Sequence, residues 1–129
     1  MTPEDLRRVA VVVDRATAHP DFAGRFYERL FAQVPDARAL FGDLDAQEAK
    51  LAEELAALVS LLGDLDTLTD RAGALGARHR GYGVRAGHYR VFQDVMRDVL
   101  AELLGDDFGP DDQDSWLRAT TLVTELMQS

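Results

Sequence analysis

The chain has 129 residues, 47% of them hydrophobic, enough for one domain around a single core. Fourteen basic residues stand against twenty-three acidic ones, and the formal charge of −9 argues against nucleic acid and anionic membrane surfaces as partners. There is no cysteine, which excludes disulfides, iron–sulfur clusters, thiolate zinc sites and cysteine nucleophiles; a metal would have to be held by histidine, carboxylate, tyrosine or methionine.

The opening MTPEDLRR lacks the apolar stretch of a secretory leader, and no apolar run reaches bilayer length, so a cytoplasmic protein is expected. Thr2-Pro3-Glu4-Asp5 reads as a helix start, with Thr2 as N-cap and acids in the first turn. Leu6, Val9, Ala10, Val13 and Ala16 follow at helical spacing until Pro20 closes the helix. Asp21 is the expected cap of a second helix carrying Phe22, Phe26, Tyr27, Leu30 and Phe31, which Pro35 stops. A short helical turn leads to Leu40-Phe41-Gly42.

A long helix is expected from about Asp45 to Leu62, with Leu51, Leu55, Leu58 and Leu62 on one face. Another, from about Asp66 to Arg80, aligns Leu68, Ala72, Leu75 and His79 before Gly81 and Gly83 break it. The helix from Ala86 to Leu104 presents Tyr89, Phe92, Met96, Val99 and Leu103. The last, from about Asp111 to Met127, aligns Trp116, Thr120, Val123 and Met127. The acidic run Asp106–Asp114 reads as a solvated loop and helix cap. Phe22, Phe26, Phe31, Phe92, Trp116 and the methionines read as core. No segment alternates with a period of two, so the fold class is all-α, with six longer helices and at least one short one.

Two of the three histidines lie in ARHRGYGVRAGHYRVF, Ala77–Phe92. His79 and His88 are nine residues apart with two glycines between, which is not a same-face chelating step, so a two-histidine metal site is not expected. His19, before Pro20, reads as solvated. By local pattern His79 is either a core or helix-end residue or a single ligand. Its company matters: an iron porphyrin asks for one axial ligand, an apolar cleft and few polar groups opposite. Phe41 lies in a loop, Gln47 and Leu51 share a helix face, and Tyr27 projects from the aromatic second helix.

These residues stand in a wider pattern. FYERLFAQVPDARALF, Phe26–Phe41, resembles the second and third helices of globins, in particular bacterial single-domain haemoglobins and the haem domain of flavohaemoglobins. Gln47-Glu48-Ala49-Lys50-Leu51 is similar to their distal helix, and the 32-residue step to His79 runs without a gap to their proximal histidine. The resemblance covers nearly the whole chain. It implies a globin fold of six to eight helices sandwiching haem b, with His79 on the iron. Tyr27 and Gln47 become the distal polar pair, Leu51 the residue over the iron, and Phe41 the ring stacked on the macrocycle. Val84 becomes a corner contact, Tyr89 a proximal tyrosine and His88 a bystander. Phe92 is then either a haem contact or plain core, Tyr89 either packing or a tuning group, and Lys50, Arg78 and Arg85 either propionate partners or surface charge.

Three departures from the family pattern qualify what the resemblance implies. The Phe41–Gln47 connection is short, a flavohaemoglobin-type glutamate beside the proximal histidine would fall beyond Ser129 with Glu125 more than a turn too early, and no flavin or nicotinamide domain is expected within these 129 residues. His79 should then carry less imidazolate character. The implied ligands are dioxygen, nitric oxide and carbon monoxide, with nitric oxide dioxygenation open to a chain that has a separate flavin reductase. A stand-alone gas sensor or interaction module is the alternative, and the intact site residues argue against a haem-free scaffold. Monomer and homodimer are both compatible with the sequence.

Overall fold

The computed structural model describes residues 1–129, which form six α-helices, two short 3₁₀ segments and no strand. They are α1 (Pro3–Ala18), α2 (Phe22–Gln33), α3 (Leu44–Ser60), α4 (Leu65–Gly81), α5 (Ala86–Leu104) and α6 (Pro110–Gln128). The 3₁₀ segments, Pro35–Leu40 and Gly105–Asp107, connect α2 to α3 and α5 to α6. No helix is long and apolar enough to cross a membrane.

α1 begins as its sequence predicts. The Asp5 N–H donates to Thr2 Oγ1 at 3.1 Å while the Asp5 carboxylate accepts from the Thr2 N–H at 3.0 Å, a reciprocal cap. The same carboxylate reaches the far end of the chain, accepting from Ser115 Oγ at 2.7 Å and Arg118 Nη1 at 3.0 Å. These donors hold the buried Asp5 carboxyl well below the usual carboxylate range; the Thr2 backbone contributes most, then Ser115, with Arg118 adding its charge.

Some boundaries differ from expectation for local reasons. Asp21 precedes α2 with helical dihedrals, φ −92° and ψ −4°, and its side chain makes no cap bond. Its N–H donates instead to His19 Nδ1 at 3.3 Å. α3 ends at Ser60, two residues early, because Leu61 and Leu62 turn toward α4 through i→i−3 bonds. α4 continues through Gly81, and the residue that leaves it at positive φ, +90°, is Gly83.

The core joins Val9, Val12 and Val13 of α1 to Phe22 and Phe26 of α2, Val95, Met96, Val99 and Leu100 of α5, and Trp116 of α6. Phe31 and Phe92 are only half-buried, and Met1 is exposed rather than core. α4 lies against α6 at very close range, where Gly76 meets the Met127 carbonyl. α1 packs on α6 and α3, and α2 packs on α5, whereas α3 and α4 scarcely touch. That separation leaves a cleft between them.

Candidate cofactor site

The cleft is a cavity of about 610 Å³ to whose walls all six helices contribute, and 23 of its 33 lining residues are hydrophobic. α3 explains its existence: of seventeen residues only Leu58 is buried, while Leu51 and Leu55 face the cavity half-covered. A helix with an apolar face and so little protein against it is built to lie on something else.

His79 projects into the cavity from the last turn of α4. Its Nδ1 lies 2.8 Å from the Leu75 carbonyl oxygen. A carbonyl can only accept, so Nδ1 carries a proton, and the tautomer this selects for an uncharged imidazole has its lone pair on Nε2. The His79 carbonyl in turn accepts from the Tyr82 and Val84 N–H groups, both at 3.0 Å, closing the helix beneath the ring. His88 has the opposite arrangement. Its Nδ1 accepts from the Arg85 N–H at 2.9 Å, so the ring proton sits on Nε2 and no lone pair remains for a metal. His19 Nδ1 is likewise taken by Asp21. Among three histidines, His79 alone is set up as a nitrogen ligand.

Across the cavity, Tyr27 is locked among aromatic rings. Phe26 meets it edge-on at 5.1 Å, Phe41 edge-on at 5.4 Å, and Phe31 stacks at 5.9 Å. Tyr27 is buried, and burial raises the pKa of its phenol, offset in part by the Gln47 carboxamide beside it, while Glu48 adds a further upward push. The phenol stays protonated near neutrality and is available as a donor. Tyr27, Gln47, Phe41 and Leu51 all line the cavity, Tyr27 in ring contact with Phe41 and beside Gln47.

The remaining predicted residues divide. Lys50 and Arg78 line the cavity and are otherwise exposed, in no ion pair. Val84 and Phe92 line it too, Phe92 with its ring 5.2 Å from Phe26. Tyr89 is buried with its ring roughly parallel to that of His79 at 6.5 Å, and its hydroxyl has no hydrogen-bond partner. Arg85 is exposed, lies outside the cavity lining, and starts α5 through its bond with His88. By sequence, His88 is set aside as a bystander, and Glu54 and Arg71 are not singled out. His88 lines the cavity as an Nε2–H donor, and Glu54 of α3 and Arg71 of α4 join across it through two bonds of 3.1 and 2.9 Å. Charges seventeen apart on different helices leave no sequence signature; the i, i+3 step from Arg85 to His88 resembles a cap and could have been noticed.

This donor set fits an iron porphyrin. One imidazole that donates through Nδ1 and leaves Nε2 to the cleft, apolar walls, a phenol and a carboxamide lining them, and cations at the rim match what a haem requires.

The comparisons with known proteins agree with that geometry. The family model "Globin" matches residues 24–127. The chain belongs to the globin family. It is 28% identical over 132 residues to a flavohemoprotein of Deinococcus radiodurans, covering 98% of this chain and 33% of that protein. To a flavohemoprotein of Bacillus subtilis it is 24% identical over 106 residues, 79% of this chain and 27% of that one. It therefore spans about a third or less of the length of these relatives. Among solved structures, the engineered carbene transferase RmaNOD from Rhodothermus marinus superposes with a TM-score of 0.82 at 23% identity, covering 98% of this chain and 90% of that one. At that identity the likeness speaks for the fold.

Proposed function

We propose that the chain holds haem b between α3 and α4, with His79 Nε2 as the iron ligand, and binds dioxygen, nitric oxide and carbon monoxide on the Tyr27 side. The observation that carries this reading is the His79 tautomer: an imidazole whose Nδ1 proton is committed to Leu75 and whose free lone pair belongs to a residue lining a large apolar cavity. No group of three or more histidines and carboxylates converges anywhere in the chain. A metal at His79 fits best as one that arrives with its other ligands, as iron does in a macrocycle.

When bound, haem supplies an iron that takes up diatomic gases. The chain's own residues do the rest. Phe41, Leu51, Val84 and Phe92 offer apolar surface to the macrocycle, while Lys50 and Arg78 neutralise its propionates. Tyr27 O–H and the Gln47 amide donate to a ligand that gains negative charge, and hydrogen bonds to such groups are worth about 1.5–3 kcal/mol each. The aromatic neighbours hold the phenol without rotational freedom, so little ordering is lost when it donates.

With a separate flavoprotein as electron source, the same pocket suits nitric oxide dioxygenation, in which nitric oxide, dioxygen and one electron combine to nitrate. The test is an absorption spectrum of the purified protein with added haemin, with and without carbon monoxide. A Soret band that shifts with carbon monoxide in the wild type and is lost in His79→Ala supports the site; a chain that takes up no haemin sinks it. Rapid mixing of the oxygenated protein with nitric oxide then separates dioxygenation from simple binding, since nitrate must form promptly.

A further inference from the structure

Gly76 and Arg80 of α4 converge on one atom of α6. A Cβ built on Gly76 would lie 1.8 Å from the Met127 carbonyl oxygen, so the two helix backbones are in direct contact there. The same oxygen accepts from Arg80 Nη1 at 3.0 Å. Met127 belongs to α6, and a guanidinium donating to a backbone carbonyl makes a charge-assisted bond, stronger than one between neutral groups.

Gly76 and Arg80 are one helical turn apart, as are Leu75 and His79. Each member of the first pair follows its counterpart by one residue. The backbone that carries the His79 ring, and the Leu75 carbonyl that orients it, are thus the same turn that α6 grips. The cleft side of this turn is open, because α3 scarcely touches α4. α6 is therefore what fixes the height and rotation of the ligand helix.

We infer that Arg80 is a positioning residue for His79: by holding the Met127 carbonyl it locks the last turn of α4 and so sets how the imidazole meets the iron. This rests on the haem reading above. It gives α6 a part in tuning the proximal ligand through backbone and guanidinium.

The test uses the haem-loaded protein with Arg80→Met, which keeps the length and removes the donors, and Arg80→Lys, which keeps one donor and the charge. The readout is the iron–histidine stretching band of the ferrous, unliganded form by resonance Raman, alongside haemin transfer to an acceptor protein. In Arg80→Met the band shifts and broadens and haemin leaves about tenfold faster, the range seen when groups supporting a metal ligand are removed; Arg80→Lys recovers most of both. If the band is unmoved in Arg80→Met, even with lowered thermal stability, Arg80 is merely structural and the inference fails. Should that variant not fold, Arg80→Gln, whose side chain falls short of the carbonyl, is read in the same way. A wild-type chain without a haem spectrum overturns the underlying reading, whereas an intact spectrum with an unmoved band overturns this inference alone.

Discussion

The rings of Tyr27 and Phe41 meet edge to face at 5.4 Å, which ties the phenol of α2 to the loop that precedes α3. Packing and hydrogen bonding can therefore be separated at this residue. Tyr27→Phe keeps the ring and removes only the donor, so stability should change little while the dioxygen dissociation rate rises about tenfold, the equivalent of one charge-assisted bond. Flash photolysis or stopped-flow displacement measures it. An unchanged rate removes Tyr27 from the distal donors.

Two glycines of α4 give opposite predictions. Alanine normally stabilises a helix interior relative to glycine by about 0.5–1 kcal/mol. Gly73 has nothing within 4 Å of a built Cβ, so Gly73→Ala should follow that rule. At Gly76 the same methyl strikes the Met127 backbone, which cannot move aside as a side chain would. Gly76→Ala should lose about 1–3 kcal/mol or more. Denaturant titrations of both variants check the pair, and a stabilised Gly76→Ala contradicts the close approach.

The Asp5 carboxyl is depressed in the folded chain, so the stability it contributes is fully present above the ordinary carboxylate pKa of about 3.9 and is lost as pH falls from there through its lower folded value. Asp5→Asn should therefore be less stable than wild type at pH 7, with the gap closing in acid below about pH 4. Thermal melts across pH report it. A gap that stays constant into acid contradicts the assignment.

Glu54 and Arg71 are a partly exposed pair spanning the cavity wall. Removing the charge in Glu54→Gln frees α3 from α4 on that side, and haemin should enter and leave faster than in wild type. The difference should shrink in about 1 M salt, where the screening length is only about 3 Å. Haemin transfer kinetics at two ionic strengths distinguish this link from an incidental surface contact.

The apolar stripe ending at His79 was legible because it follows helical periodicity, and the set Tyr27, Phe41, Gln47 and Leu51 because it resembles a family pattern; Leu75 and His79 line one cavity with that set, while Leu68 and Ala72 are buried in the core. Less legible was anything set by which helices cross. Gly76 looks like any helical glycine until Met127 arrives, fifty-one residues later. Asp5 reads as a cap residue, which it is, but its bond to Ser115 depends on α1 lying along α6. The distinction between His79 and His88 became a matter of proton position once their partners were known, Leu75 O for one and Arg85 N–H for the other. Arg85, read in the sequence as either a propionate partner or surface charge, is exposed at the start of α5 and is not among the residues that line the cavity.

The thin anchoring of α3 bears on how the polypeptide behaves while cofactor is scarce. A seventeen-residue helix with only Leu58 buried draws little cohesion from the remainder of the fold. Its backbone should exchange hydrogens early and offer proteases their first cut until the cleft is filled. Supply of the prosthetic group would then govern the lifetime of newly made chains, and turnover itself would match the amount of protein to the haem on hand.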